Sequence, residues 1–228
     1  MNDYMKNWNE FWSSCPAKPM VNTDENTNGE LYGGTNVEPA ASIGMSCFLE
    51  PVRQQFQDGF KILDYGCGAG ILANFISNRI DSFTYVGLEP NNQHGNERIA
   101  VGKKFFNDER VTFGFIDDVQ DLNVDFDCIV LISVFTHLTI ENTYKTLDQL
   151  LSVVGEQDTK IIFSCFISDS YQLILPQPSI AEDFYGITRI KMNQLTDYAE
   201  SRSLKLTRVT DFLAGGGHIH NIFSLEKK

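Results

Sequence analysis

Seven consecutive residues carry the chemical pattern that stands out in this chain: Asp64-Tyr65-Gly66-Cys67-Gly68-Ala69-Gly70. Glycine at every second position lets the backbone approach a ligand closely and turn its N–H groups toward it. An acid two residues before the first glycine suits a cationic partner, such as a ligand's ammonium group. Glu89 stands nineteen residues beyond Gly70, where a carboxylate can accept two hydrogen bonds from a ribose diol. Asp117 and Asp118 supply a third acidic point, suited to an exocyclic amine. A dinucleotide fingerprint would place its third glycine at position 71, which is Ile71, and has no use for Asp64. The ligand these residues describe is a nucleoside with an amino-acid-like cationic end.

Such residues meet only if the elements carrying them end side by side. Lys61–Tyr65 (KILDY) predicts a buried strand and Gly70–Ile80 a helix. Phe83–Leu88 predicts a second strand, Asn92–Phe105 a helix, and Val111–Ile116 a third strand. Asp127–Ile132 (DCIVLI) is the most apolar strand; a helix over Ile140–Val154 and a fifth strand over Lys160–Phe166 follow it. Apolar runs alternating with helical patterns predict βαβ units and a parallel sheet, and right-handed crossovers make that sheet doubly wound. Glu89 then closes the second strand and Asp117-Asp118 the third, so three acids line one crevice at the carboxyl ends. Toward the C-terminus, Asn193–Ser203 reads as a helix, and Leu204–Asp211 and His218–Leu225 as strands. The Ala214–Gly217 link between those strands is too short for a parallel crossover, so the last strand is expected to run antiparallel.

Lys61–Gly70 (KILDYGCGAG) resembles the first motif of the class I S-adenosylmethionine-dependent methyltransferases, and Tyr85–Asn91 (YVGLEPN) their second. Phe115–Val119 (FIDDV) falls where that family has its adenine-binding acid. Phe126–Leu138 (FDCIVLISVFTHL) resembles its fourth strand and the segment after it. The resemblance implies a Rossmann-like, seven-stranded, mostly parallel sheet with an antiparallel last strand. It implies S-adenosylmethionine as cofactor and S-adenosylhomocysteine as product. The turn of Gly66, Cys67 and Gly68 would hold the methionine part, with Asp64 near the ammonium group. Glu89, followed by Pro90, would hold the ribose, Asp117 and the Asp118 backbone the adenine, and Ser133 would approach the methionine part. His137 matches a histidine that small-molecule members often carry. Two departures from the pattern are Tyr65, bulkier than the usual aliphatic residue, and Ile116 in place of a common glycine.

Several residues have two readings. Cys67 is a small residue filling a tight turn or a nucleophile, and the absence of a base near it in sequence favours the first. His137 is a general base facing the transferred methyl group or a residue packing against its helix. His218 and His220 are structural or a metal pair; with no acid or cysteine cluster beside them, the structural reading is preferred and no metal is expected. Trp8, Phe11 and Trp12 cover the core or belong to a lid, and Tyr32 beside Gly33-Gly34 suits a gate. Phe166, Tyr171, Phe184 and Tyr185 flank a proline- and aromatic-containing stretch over 167–191, where they pack or line a substrate pocket.

Composition limits the rest. The 228 residues carry 30 acids against 18 bases, a formal charge of −12. That balance argues against nucleic acid or anionic lipid as partner. The chain also lacks the acid/Asn-Pro-Pro-aromatic motif of the family's amino-methylating DNA enzymes, having Ile132-Ser-Val-Phe-Thr136 there. No apolar run approaches the ~20 residues that span a bilayer, and Met1–Trp12 has no apolar signal core. The five cysteines are scattered without a CxxC pair, which fits a reduced, cytoplasmic protein. The expected organisation is a cap or lid over 1–60 and one cofactor-binding domain over 61–228, with 167–191 a substrate-side insertion. The expected reaction is in-line methyl transfer to oxygen or nitrogen of a small or carrier-bound molecule. The rivals are a non-catalytic binding module of the same fold and a nicotinamide-dependent oxidoreductase.

Overall fold

The computed structural model describes residues 49–122, 124–154, 158–168, 188–213 and 219–228. The expectations for Trp8, Phe11, Trp12, Tyr32, Tyr171, Phe184, Tyr185 and His218 lie outside these residues. The chain divides into two compact units, Met1–Cys128 and Ile129–Lys228.

In the first unit a helical turn over 49–53 precedes β1 (Phe60–Tyr65), α1 (Ile71–Ser77), β2 (Phe83–Glu89), α2 (Gln93–Phe105) and β3 (Val111–Phe115). A 3₁₀ turn over Ile116–Asp121 follows. The three strands are parallel in the order β3-β2-β1. β2 is central to them, and Phe83, Tyr85, Leu88 and Glu89 are buried, as expected where both faces are covered. The register sets Ile62 beside Tyr85, Asp64 beside Gly87, and Glu89 beside Phe115. The carboxyl ends therefore align as the acids required.

One side chain explains three glycines in this unit. The Phe113 ring lies where a Cβ on Gly70 would meet it at 2.8 Å, one on Gly102 at 2.9 Å and one on Gly87 at 3.0 Å. β3 thus packs its aromatic into a hollow made by the start of α1, the middle of β2 and the last turn of α2. Asn92 caps α2 by accepting the Gly95 N–H at 2.8 Å, which satisfies one of the helix's unpaired N-terminal donors.

The second unit contains α3 (Ile140–Val154), β5 (Lys160–Ile167), β6 (Arg189–Ile190), α4 (Met192–Ser201), β7 (Leu204–Leu213) and β8 (Ile219–Lys227). It opens within β4 (Cys128–Leu131), whose first residue closes the first unit. β8 runs antiparallel to both β5 and β7, while the two-residue β6 pairs parallel with β5. Phe163 forms an aromatic centre, with Phe135 at 5.2 Å and Phe223 at 5.8 Å between ring centroids. α3 and α4 are tied by Arg202, which grips both oxygens of Asp148 at 2.6 and 2.8 Å.

The α/β order and the antiparallel C-terminal strands match the sequence expectation. The differences are local. Among the described residues, β6 adds an eighth strand to the seven expected, and it lies inside the stretch assigned to an insertion. β3 stops at Phe115, because Ile116 already belongs to the 3₁₀ turn. α1 ends at Ser77, three residues short of the predicted Ile80.

Candidate functional site

The turn after β1 folds as it does because its glycines adopt conformations that other residues resist. Gly66, Gly68 and Gly70 have φ of 83°, 59° and 88°, in the left-handed region. The chain reverses over Leu88, whose carbonyl accepts the Gly66 N–H at 2.8 Å and the Cys67 N–H at 3.1 Å. The Gly70 N–H closes the turn on the Cys67 carbonyl at 3.1 Å. A Cβ on Gly68 would meet nothing within 4 Å. The turn therefore borders open space where a ligand can lie against bare backbone.

Two buried carboxylates flank this turn. Glu89, 2% exposed, accepts the Gly68 N–H on Oε1 at 2.6 Å and Arg98 Nη1 on Oε2 at 3.3 Å. Burial pushes its pKa up, against the opposing pull of Arg98 and the Gly68 N–H. Asp64, 3% exposed, accepts the Tyr85 hydroxyl on Oδ2 at 2.6 Å. Burial raises its pKa to about 7; the Tyr85 bond opposes the rise and the charge of Glu89 adds to it. Two acids sharing one dry corner leave the turn short of positive charge, which is the condition a cationic ligand relieves.

Cys67 is buried, its Sγ 3.4 Å from the Gly68 carbonyl. Burial, then Glu89 and Asp64, push the thiol well above its ordinary range, which favours the small residue filling the turn over the nucleophile. A Cβ on Gly87 would meet this sulfur at 2.8 Å, so Gly87 provides its room. Pro90 is buried, and its carbonyl accepts the Asn92 N–H at 2.8 Å. A Cβ on Gly95 would overlap that carbonyl, so the turn from β2 into α2 also depends on a glycine. Asp117 and Asp118 occupy the first 3₁₀ turn and are exposed. They lie just beyond Phe115, the register partner of Glu89.

Thus Asp64, Gly66, Cys67, Gly68, Glu89 and Pro90 come together, and Asp117 and Asp118 follow at the adjoining strand end. Ser133 and His137 belong to the second unit. Ser133 has a φ of 59°, uncommon for a residue with a side chain. Its N–H donates to Ser164 Oγ at 2.7 Å and its carbonyl accepts the Thr136 hydroxyl at 3.0 Å. His137 is half-buried, and its N–H donates to the Val134 carbonyl at 3.0 Å. His220 packs edge-on to Phe166, ring centroids 4.5 Å apart. Among the described residues no group of three or more His, Cys, Asp or Glu could hold a metal ion. Sequence reasoning missed Tyr85 and Arg98. Both bind their acids across elements, although period-two alternation does put Tyr85 on the face of β2 that Glu89 occupies.

A glycine turn between buried acids at the carboxyl ends of parallel strands is the place where open α/β sheets bind their ligands. The chain belongs to the methyltransferase domain family, whose sequence model matches residues 40–226. Its fold is that of the class I enzymes, for which S-adenosylmethionine is the methyl donor. A structure of magnesium protoporphyrin IX methyltransferase from Synechocystis PCC 6803 with bound S-adenosylmethionine is 12% identical, with a TM-score of 0.65 over 100% of this chain and 99% of that one. Human N-acetylserotonin methyltransferase is 16% identical, with a TM-score of 0.56 over 78% of this chain and 50% of that one. N,N-8-amino-8-demethyl-D-riboflavin dimethyltransferase from Streptomyces davawensis is 15% identical, with a TM-score of 0.58 over 80% and 54%. A search of curated protein sequences finds no match.

Proposed function

We propose that this protein transfers a methyl group from S-adenosylmethionine to an oxygen or nitrogen of a small or carrier-bound molecule. The observation that carries the reading is the open turn at Gly68 held between two buried carboxylates, Asp64 and Glu89. These residues fit the cofactor. Asp64 would face the ammonium group, Glu89 the ribose diol, and the bare backbone of Gly66, Cys67 and Gly68 the methionine chain. Pro90 would border the ribose, and Asp117 with the Asp118 backbone would meet the adenine amine. Ser133, held in its bend by Ser164, would approach the methionine part.

The bound cofactor supplies an electrophilic methyl group on a sulfonium. What remains for the protein is alignment: holding the nucleophile in line is worth on the order of 7–11 kcal/mol. His137 would take the proton from an acceptor hydroxyl or amine, a contribution of roughly 10² to 10⁴ in rate. The acidic balance supports a small acceptor over nucleic acid in a cytoplasmic setting. The solved relatives named for porphyrin, flavin and N-acetylserotonin methylation agree with that class. No described helix is long and apolar enough to cross a membrane.

The test is to incubate the protein with methyl-labelled S-adenosylmethionine and hydroxyl- or amine-bearing small molecules, free and carrier-bound, with DNA and RNA alongside. Label on a small-molecule oxygen or nitrogen is expected, and His137→Ala should slow it at unchanged cofactor affinity. Label on nucleic acid alone would refute the acceptor class.

A further inference from the structure

Tyr85 opens the second motif and is given no role there, yet its side chain is fully buried and its hydroxyl is spent on one atom, Asp64 Oδ2 at 2.6 Å. The two residues sit on the same face of adjacent parallel strands. Asp64 is in register with Gly87, and Tyr85 is one side-chain step earlier on that face. Gly87 leaves the space between them clear of a side chain, and Cys67 fills it from the turn. The Tyr85 ring is itself fixed edge-on by Phe113, centroids 6.2 Å apart. A phenol so held can serve only as a donor to the carboxylate, because burial and the neighbouring acid push its own ionisation far out of range.

We propose that Tyr85 is a positioning residue for the amino-acid end of the cofactor: its hydroxyl fixes the Asp64 carboxylate toward the turn and stabilises its charged form, so that affinity for a ligand carrying an α-ammonium depends on pH through this pair. The proposal rests on the reading of the turn as the S-adenosylmethionine site. Among the described residues, the charged and titratable groups around Asp64 are these. Tyr85 and Glu89 act on it from β2 and Cys67 from the turn. Arg98 on α2 acts through Glu89. At the far end of β1, Asp127 accepts the Lys61 N–H at 2.8 Å. Of these, Tyr85 alone gives Asp64 a hydrogen bond that favours the carboxylate, and burial together with Glu89 opposes it.

The consequence is a titration of affinity. With Asp64 half-charged near pH 7, S-adenosylhomocysteine should bind about tenfold more tightly at pH 8 than at pH 6. Removing a hydrogen bond to a charged group should raise the Asp64 pKa by about one to two pH units. In Tyr85→Phe the rise in affinity should therefore move upward by that amount, with about tenfold weaker binding at pH 7. 5′-Methylthioadenosine shares the nucleoside and lacks the ammonium group, so its affinity should be flat with pH and equal in both proteins.

The experiment is calorimetric titration of wild type, Tyr85→Phe and Asp64→Asn with both ligands from pH 6 to 9, alongside a carbon-13 carboxyl titration of Asp64 in the ligand-free protein. Asp64→Asn, which leaves Tyr85 in place, should abolish the pH dependence; should Tyr85→Phe fold poorly, a pH dependence that persists in Asp64→Asn still overturns the proposal. Equal weakening of both ligands in Tyr85→Phe, or an unmoved profile, overturns the proposal in favour of a packing role. If wild type binds neither ligand, the cofactor reading fails. The carboxyl titration then still decides whether Tyr85 controls the charge of Asp64.

Discussion

Asp64→Asn should stabilise the ligand-free protein, and more so as pH rises. The carboxyl is buried and its pKa rises from an ordinary 3.8 to about 7, chiefly through loss of water. Its pKa is thus higher folded than unfolded, so between these values the native state binds more protons and stability falls with pH. The loss begins near pH 4 and is complete once pH passes 7. At 1.36 kcal/mol per pH unit the whole penalty is at most about 4 kcal/mol, of which about 2 kcal/mol accrues between pH 5.5 and pH 8. Asparagine keeps an acceptor for the Tyr85 hydroxyl and has nothing to titrate. Urea unfolding of both proteins at pH 5.5 and 8 should show the variant's advantage growing by about 2 kcal/mol. The burial that pushes Glu89 up does not involve Asp64, so that contribution is common to both proteins. An advantage equal at the two pH values would mean that Asp64 does not titrate in this window, and would refute the account of the buried acid pair.

Two further outcomes follow from the packing. Gly102→Ala drives a Cβ into the Phe113 ring, 2.9 Å away, and should lower unfolding stability by about 1–3 kcal/mol; no change in urea midpoint would mean that the ring has slack. Cys67, buried with its thiol pushed up by burial and two acids, should resist iodoacetamide at pH 8 in the native protein and react in urea. Peptide mass mapping reads this out, and rapid native labelling of Cys67 would restore it as a reactive residue.

What the sequence made legible was local in the chain. The Gly66–Gly70 turn, with Asp64 before it and Glu89 after one βα unit, is a spacing pattern, and strand periodicity alone brings those positions to one edge. The antiparallel end was legible for the same reason, since the short link after β7 forbids a crossover. The partners that set the chemistry were not legible. Tyr85 reaches Asp64, and Arg98 reaches Glu89, only once the register of β1 on β2 and the rotation of α2 are known. β6, two residues long, has no periodicity to detect. Ile116 is as apolar as the strand before it, so only the 3₁₀ turn that follows reveals that β3 has ended. Phe113 looks like any strand aromatic until three glycines from three elements are found around it.

Calorimetric titration with S-adenosylhomocysteine, with NAD in parallel and Glu89→Gln as the variant, decides whether the turn between Asp64 and Glu89 holds S-adenosylmethionine. Glutamine retains an acceptor for the Gly68 N–H and loses one of the two acceptors needed by a ribose diol. Wild-type binding on the order of micromolar is expected, at least about tenfold weaker in Glu89→Gln, with none for NAD. Preference for NAD, or an affinity for S-adenosylhomocysteine that Glu89→Gln leaves unchanged, would contradict that reading.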